Sequence, residues 1–170
     1  MGPLTTERLI LRRPAPDDWP TFQGWAMSDR AAMAGGRKDL GGAWRQFASV
    51  LGHWQIRGFG MWALTRPGDD TCFGMVGPWF PADWPETELG WILFDGAEGQ
   101  GYASEAARAA RRHAYDVLGW STAVSYIEPD NLRSIAVAER LGATLDPQAA
   151  QPKPDTPQLV YRHPGPEGRA

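Results

Sequence analysis

A glycine-containing turn between a predicted strand and a predicted helix carries the residues best suited to chemistry. Residues 95–101 read Asp-Gly-Ala-Glu-Gly-Gln-Gly and precede a helix predicted to begin near Tyr102. Gly99 and Gly101 lack a Cβ, so a ligand can approach the backbone closely. The first turn of the helix leaves amide N–H groups unpaired at the positive end of its dipole. The pattern predicts a phosphate or pyrophosphate site, although the same glycines could serve only a tight turn.

Dinucleotides form one class of phosphate ligand that this turn could bind. The pattern Gly99-x-Gly101-x-x-Ser104, followed later by Glu128, partly matches a dinucleotide fingerprint. Its third glycine is missing, and the roughly 70 residues after the motif are too few for a doubly wound sheet. A P-loop is excluded because the chain has no Gly-Lys-Ser or Gly-Lys-Thr. A dinucleotide-binding protein is therefore the less favoured alternative.

Several motifs in order along nearly the whole chain resemble the GNAT superfamily of N-acetyltransferases. The coenzyme A signature of that superfamily is matched by Glu88-Leu89-Gly90-Trp91 and by Gly99-Gln100-Gly101-Tyr102-Ala103-Ser104-Glu105-Ala106. The resemblance is greatest to the branch of ribosomal-protein N-terminal acetyltransferases (RimJ/RimL-like). The motifs shared with that branch are Thr6-Glu7-Arg8-Leu9-Ile10-Leu11-Arg12, Asn131-x-x-Ser134, Glu139-Arg140-Leu141-Gly142-Ala143 and Val160-Tyr161-Arg162-His163-Pro164.

The resemblance implies an α+β (mixed α/β) fold, the GNAT acyl-CoA N-acyltransferase fold. Its twisted, mostly antiparallel mixed sheet is flanked by helices and opens where strands 86–94 and 121–127 part. It also implies acetyl-CoA as co-substrate, bound in that opening. The cofactor-binding residues implied in this way are Ile92, Leu93 and Phe94 for the pantetheine arm, and Gly99, Gln100, Gly101, Tyr102, Ala103 and Ser104 for the pyrophosphate.

Two positions depart from the family pattern. Glu98 stands where many members have Arg or Gln, so we expect phosphate contacts made mainly by backbone. Ala138 stands where many members have a Tyr that protonates the leaving thiolate. In the branch that this chain resembles, the serine of Asn-x-x-Ser takes that role, here Ser134. Asn131 by resemblance contacts pantetheine or substrate, and helix capping is an equally natural role for both residues.

Acetyl transfer to an amine also needs a base and a group that stabilises the oxyanion. Glu88 on the predicted central strand is the candidate base, because a carboxylate near apolar walls has a raised pKa. An exposed, solvated position for Glu88 remains the alternative, and Glu128 is the reserve candidate base. A strand amide at Ile92 or Leu93 is the candidate oxyanion donor.

The remaining reactive residue types are expected to be structural. His53, His113 and His163 are scattered along the chain and are expected to be surface or packing residues, so no metal is predicted. Cys72, the one cysteine, lies in a predicted hairpin strand away from the motif, so no acyl-enzyme is expected. A single cysteine also excludes an internal disulfide, which points to a reducing, cytoplasmic setting.

Length and composition agree with this interpretation. A chain of 170 residues fits one domain, predicted to span residues 1–170. The mean hydropathy is −0.42, and no apolar run is long enough to suggest a membrane span. The net charge of −3 argues against broad nucleic-acid binding, which relies on a basic surface. We therefore expect no nucleic-acid and no membrane partner, and a monomer or homodimer.

Hydrophobic periodicity and turn signals predict the elements that must position these residues. A stripe formed by Leu40, Trp44, Phe47, Leu51 and Trp54 predicts a helix over 40–57. The family resemblance implies that the loops at 28–39 and 146–158 determine acceptor specificity. Trp79, Phe80 and Trp84 could line the acceptor pocket or an oligomer contact, or could serve ordinary packing. The other predicted elements are strands 7–13, 59–65, 71–77, 86–94, 121–127 and 158–162, and helices beginning at Asp17 or Asp18, over 102–118 and over 132–141.

Together these features predict an N-acetyltransferase, an acyltransferase that moves acetyl directly from acetyl-CoA to a primary amine. The acceptor could be a protein N-terminus or a small-molecule amine. A non-catalytic sensor of CoA or acyl-CoA is the alternative from a different class, favoured by the missing Tyr and the uncertain base.

Overall fold

The computed structural model describes residues 2–168, which form one eight-stranded sheet and four α-helices. The strands are β1 (Leu4–Thr5), β2 (Ile10–Arg12), β3 (Trp62–Thr65), β4 (Gly74–Trp79), β5 (Glu88–Leu93), β6 (Val124–Ile127), β7 (Thr144–Leu145) and β8 (Leu159–Arg162). The helices are α1 (Trp19–Ala26), α2 (Leu40–Arg57), α3 (Tyr102–Asp116) and α4 (Leu132–Arg140), with 3-10 turns at Pro16–Asp18, Asp29–Met33 and Pro166–Gly168.

The sheet order is β1-β2-β3-β4-β5-β6-β8-β7, and every neighbouring pair is antiparallel except β5 with β6. The alanine face of α3 packs on one side of the sheet with Leu89, Leu64 and Leu11. Phe22 from α1 and Phe47 from α2 pack on the other side with Met75. The mixed, mostly antiparallel sheet with helices on both sides confirms the expected fold class.

The parallel strands β5 and β6 are paired only where they begin. Glu88 stands opposite Val124, and the Val124 amide donates to the Thr87 carbonyl at 3.0 Å. Ser125 Oγ then donates to the Leu89 carbonyl at 2.6 Å. No further register pair joins the two strands within the part of the chain that is described. The sheet therefore opens between them, as the sequence resemblance implies.

A buried chain of hydrogen bonds holds the point where these strands diverge. Arg111 donates to Nδ1 of His163 at 3.3 Å, so Nε2–H of the neutral ring donates to Ser125 Oγ at 2.9 Å. Ser125 Oγ in turn donates to the Leu89 carbonyl. His163 is thus a fully buried structural residue, although it lies only seven positions before the C-terminus.

Helix α2 has the bounds expected from the sequence, but it presents a different face to the core. Asp39 caps it by accepting from the Gly42 amide, and Gly58 ends it with a φ of +76°. The predicted stripe is wrong at its start, since Leu40 and Trp44 are 55% and 57% exposed. The buried positions are Ala43, Phe47, Val50, His53 and Trp54, so the buried face is rotated away from Leu40 and Trp44 at the start of the helix.

Other elements also differ from the sequence-based expectation. The predicted strand 7–13 is reduced to β2, and a separate short strand, β1, precedes it, because residues 6–9 form a turn closed by Thr6. Strand β4 continues through Pro78 to Trp79, into the predicted loop. The two-residue strand β7 was not predicted, because exposed Thr144 and Leu145 carry no periodic pattern of their own.

The burial of His163 predicts a specific dependence of stability on pH. Burial lowers the pKa of His163 to about 3, whereas in the unfolded chain the ring has its ordinary pKa of about 6.5. The neutral ring's contribution is therefore complete above pH 6.5 and is lost as the pH falls towards 3. The loss amounts to roughly 2 kcal/mol by pH 5.

We expect His163→Gln, whose amide does not titrate, to be less stable than the wild type at pH 7.5. The difference in the free energy of unfolding between the two proteins should be smaller by roughly 2 kcal/mol at pH 5. Urea unfolding of both proteins at the two pH values measures this difference. A gap that stays constant or widens on acidification contradicts the neutral, buried ring.

Candidate active site

Two adjoining cavities occupy the opening between β5 and β6. The smaller, about 370 Å³, lies against α1 and α2 and is lined by Trp25, Trp79, Trp84, Glu88 and Tyr126 among others; it is called the inner cavity. The larger, about 1390 Å³, runs past Leu93 to the turn at Gly99 and Gly101 and is called the groove. Trp91, Ile92, Asn131 and Ser134 line both. A ligand in the groove and one in the inner cavity would meet at these residues.

Backbone alternation along β5 shows which of its peptide groups face the opening. The carbonyls of Thr87 and Leu89 are both turned towards β6, where they accept hydrogen bonds. Successive residues of a strand point their N–H and C=O groups to opposite sides, so every second residue points the same way. The N–H and C=O groups of Trp91 and Leu93 are therefore also turned to the β6 side. Their peptide groups reach the opening beyond the last β5–β6 pair, and they can pair with an extended ligand.

The same alternation refines the expected pantetheine contacts. The Phe94 amide donates to the Phe73 carbonyl at 2.9 Å, and the Phe94 side chain is buried against Phe22 and Trp25. Ile92 lies two residues before Phe94, so its N–H and C=O groups are likewise turned towards β4. Of the three residues predicted from the sequence, Leu93 is the one whose peptide group faces the opening. Trp91 was missed, and the period of two along the strand was the signal that could have found it.

The turn before α3 has the geometry of an anion cradle. Gly99 and Gly101 have φ values of +72° and +79°, which side-chain-bearing residues rarely adopt. Gly101 is the N-cap of α3 and offers no side-chain cap, so the amides of the first turn are not capped by it. Ser104 Oγ, in that first turn, is buried with no hydrogen-bond partner among the described residues, and it lines the groove. An anionic ligand would satisfy these donors.

Arg8 braces this turn from the N-terminal segment. It donates to the Gln100 carbonyl at 2.9 Å and pairs with Glu105 at 2.6 Å, while its guanidinium lies 4.9 Å from the Tyr102 ring. Although partial burial opposes the effect, hydrogen bonds from Thr6 and Arg8 lower the pKa of Glu105. Gln100 therefore serves the turn through its backbone, and its side chain does not line the groove.

Glu98, the acidic departure from the family pattern, is neutralised within the protein. Arg30 of the 3-10 turn Asp29–Met33 pairs with Glu98 and also with Asp95 at 2.9 Å. Further arginines line the groove, namely Arg8, Arg108, Arg133 and Arg140. The groove is therefore lined by arginines together with carboxylates, two of which, Glu98 and Glu105, are paired with Arg30 and Arg8.

Glu88 lies at the start of β5 with its side chain in the inner cavity. Burial raises the pKa of Glu88 to about 7, while a hydrogen bond from Trp84 Nε1 at 2.6 Å favours the ionised form. Glu88 is thus a carboxyl group that exchanges its proton near neutral pH. The reserve candidate, Glu128, accepts a hydrogen bond from Gln158 and lines neither cavity.

Ser134 and Asn131 lie at the start of α4, where the two cavities meet. Asn131 caps the helix by accepting from the Ser134 amide at 3.1 Å, and its own amide donates to the Met33 carbonyl. Ser134 Oγ accepts from Trp91 Nε1 at 3.2 Å. Among residues 2–168, no group accepts a hydrogen bond from the Ser134 hydroxyl. Its hydrogen can therefore point into the opening. Ala138, where many relatives have Tyr, is fully buried.

His53, His113 and Cys72 have structural roles. His53 is stacked on Trp79 with its nitrogens bonded to the backbone of Phe59 and Phe80, and His113 is buried against Trp62. Burial raises the pKa of Cys72 to about 12, which makes it unsuitable as a nucleophile. Within residues 2–168, no group of three His, Cys, Asp or Glu residues could hold a metal ion.

Helices long and apolar enough to cross a membrane do not occur in the described part of the chain.

Comparison with known proteins gives a consistent result. The model of the acetyltransferase (GNAT) domain matches residues 8–144. An acetyltransferase from Agrobacterium tumefaciens has a similar structure, with a TM-score of 0.90 and 42% sequence identity over 96% of this chain and 94% of that one. More distant folds include a putative ribosomal-protein-serine acetyltransferase from Vibrio cholerae, with a TM-score of 0.73 and 19% identity over 95% and 98% of the two chains.

A microcin self-immunity acetyltransferase, solved with acetyl-CoA and AMP, also shares the fold. Its TM-score is 0.68, with 16% identity over 92% of each chain.

The anion cradle predicts that a methyl group at Gly101 weakens coenzyme A binding. Gly101→Ala adds a Cβ to a residue with φ of +79° at the groove. We expect the dissociation constant for coenzyme A to rise at least about tenfold, measured by calorimetry. Gly58→Ala is a matched control, because Gly58 has a φ of +76° at a helix end remote from the groove. Both changes should lower stability by about 1 kcal/mol. An equal effect of the two variants on affinity contradicts the cradle.

Proposed function

The chain belongs to the GNAT acetyltransferase family, and from this premise we propose that it transfers acetyl directly from acetyl-CoA to a primary amine in the inner cavity. The observation that carries the proposal is the meeting of two cavities at Trp91 and Ser134. A carboxyl group with a pKa of about 7 lies in one, and an anion cradle lies along the other. Direct transfer needs both substrates to be bound at once with their reacting atoms adjacent.

The residues of the groove fit acetyl-CoA. The peptide groups of Trp91 and Leu93 would pair with the pantetheine arm, and the amides of residues 99–104 together with Ser104 Oγ would hold the pyrophosphate. Arginines along the groove suit the phosphates of the nucleotide end. When bound, acetyl-CoA supplies an acetyl group activated as a thioester.

Glu88 is proposed as the base that accepts the proton of the amine. A pKa of about 7 leaves a substantial ionised fraction at neutral pH and still makes the carboxylate basic enough to take a proton. The Trp84 indole donates to one carboxylate oxygen, and the backbone of Tyr126 also hydrogen-bonds to the carboxylate, so the group is held in position. The aromatic walls leave Glu88 only partly exposed, so it is less solvated than an ordinary surface carboxylate.

Ser134 is proposed as the proton donor to the leaving sulfur. Because Trp91 Nε1 donates to its oxygen, the Ser134 hydroxyl is oriented with its own hydrogen free to donate. Asn131 holds the first turn of α4 in place through the Ser134 amide. The Leu93 amide is the favoured oxyanion donor of the two expected from the sequence, since the Ile92 amide is turned towards β4. A preorganised donor of this kind contributes about 3–4 kcal/mol.

Replacement of Glu88 tests the proposed base. Glu88→Gln should lower kcat about 100-fold or more, and it should remove an inflection in kcat/KM near pH 7 below which the wild-type rate falls. The release of coenzyme A thiol from pH 5.5 to 9 measures both effects. Glu128→Gln is the control carboxamide variant, and its rates should match the wild type. If Glu88→Gln keeps the wild-type profile, Glu88 is not the base.

Replacement of Ser134 separates a chemical role from a structural one. Ser134→Ala removes the hydroxyl and should lower kcat at least tenfold, while the dissociation constant for coenzyme A changes less than threefold. Ser134→Thr keeps a hydroxyl and should retain most of the rate. Steady-state kinetics and calorimetry on the two variants make the comparison. Equal kcat values for Ser134→Ala and the wild type would leave Ser134 only as a partner for Trp91.

A further inference from the structure

The distribution of lysine singles out the inner cavity. The chain has two lysines, Lys38 and Lys153, among 17 basic residues, and both line this cavity. The lining contains no arginine within the described part of the chain. The arginines instead line the groove, where they suit phosphates. The two cavities are therefore lined by different cationic residue types, and only in the inner cavity do the cations outnumber the carboxylates.

The lysines reach the cavity from two separate loops. Lys38 lies just before α2, and its ammonium donates one of its three hydrogens to the Gly35 carbonyl, which leaves two for a ligand. Lys153 lies in the loop between β7 and β8, with Nζ 6.0 Å from the centroid of the Trp84 ring. That ring also carries the indole N–H bonded to Glu88, so Lys153 and Glu88 both lie against Trp84, and the charge of Lys153 favours the ionised form of Glu88.

The charges of the cavity do not balance without a ligand. Its charged side chains are Lys38, Lys153 and Glu88, so two cations face one carboxylate. An acceptor that brought only an ammonium group would add a third cation to a partly apolar space, which electrostatic repulsion disfavours. An acceptor that also carries an anionic group would restore the balance. The same cations would favour the neutral form of the bound amine, which is the form that can attack a thioester.

The remaining walls set the size and polarity of the acceptor. Phe22, Trp25, Met61 and Trp79 give the cavity large apolar surfaces. Its volume of about 370 Å³ lies at the low end of the range of about 300–1000 Å³ for ligand cavities.

We propose, building on the acetyl transfer proposed above, that the acceptor is a free α-amino acid with an apolar side chain. Its carboxylate pairs with the lysines of the inner cavity, and its side chain packs on the aromatic walls. The acceptor nitrogen forms a bond to the acetyl carbon as the carbon–sulfur bond breaks. The amine proton goes to Glu88 and the sulfur receives a proton from Ser134; Ser134 then regains a proton from solvent, and Glu88 releases its proton to solvent. The products are an N-acetyl amino acid and coenzyme A.

A matched series of acceptors tests the carboxylate requirement. L-phenylalanine, L-phenylalanine amide, phenylethylamine and the peptide amide Phe-Ala-Ala-NH₂ share one aromatic group but differ in charge and length. With acetyl-CoA and a thiol readout, kcat/KM for L-phenylalanine should exceed that for its amide at least about tenfold, as expected for a charge-assisted hydrogen bond. An amide, amine or peptide that reacts as fast as L-phenylalanine overturns the proposal, and a faster peptide would indicate an N-terminal acceptor instead.

Replacement of each lysine tests whether these two residues cause the preference for the acid over its amide. Lys38→Gln and Lys153→Gln should each reduce the ratio of kcat/KM between the acid and its amide at least threefold, mainly by raising KM for the acid. Arg45→Gln removes a cation from the exposed face of α2, outside the cavity, and should keep the wild-type ratio. A ratio that is unchanged in both lysine variants contradicts the assigned residues.

A binding measurement distinguishes failure of this inference from failure of the proposed function. Calorimetry on the enzyme with coenzyme A compares N-acetyl-L-phenylalanine with its amide. If no acceptor releases thiol, acetyl transfer to these amines is refuted, yet tighter binding of the acid still supports the anionic ligand. Equal or weaker binding of the acid than of its amide overturns the inference whether or not turnover is seen.

Discussion

The site depends on hydrogen-bonding groups that β5 cannot satisfy within the sheet. Backbone N–H and C=O groups that are shielded from water need partners, and a central strand normally finds them on both sides. Here β6 diverges after a single register pair, and the Arg111–His163–Ser125 chain fixes the place where divergence begins. The peptide groups of Trp91 and Leu93 are left to a ligand that can act as a strand. The cavities, the cradle and the proposed chemistry all lie along this opening.

The groove and the inner cavity differ in the charged groups that line them. On the groove side, arginines and helix N–H groups are arranged for phosphates, and Arg30 removes the penalty of Glu98 by pairing with it. On the inner side, the partly exposed carboxylate of Glu88 stands among tryptophans, where desolvation raises its pKa to about 7. The side chains of β5 alternate between the two faces of the sheet. Glu88 and Ile92 face α1 and α2, while Leu89 and Leu93 face α3.

Much of this arrangement could be predicted from the sequence, because local signals determine it. Helix α2 is bounded by Asp39 and Gly58, and the glycine turn before α3 is visible as spacing alone. Contacts between distant segments could not be predicted in this way. The brace from Arg8 to Gln100, the pairing of Arg30 with Glu98 and the burial of His163 join residues far apart in the chain. The exposed start of α2 was also mispredicted, since large apolar side chains do not reveal which face packs.

The most direct test of the account is backbone amide hydrogen exchange with and without coenzyme A. Coenzyme A should slow exchange at the Leu93 amide and at the amides of residues 101–104. The slowing there should be at least about tenfold greater than at the Phe94 amide, which already donates to Phe73. Slowing spread evenly over the sheet would show only general stabilisation. Unchanged exchange at Leu93 in a protein saturated with coenzyme A would contradict the claim that this strand pairs with the ligand.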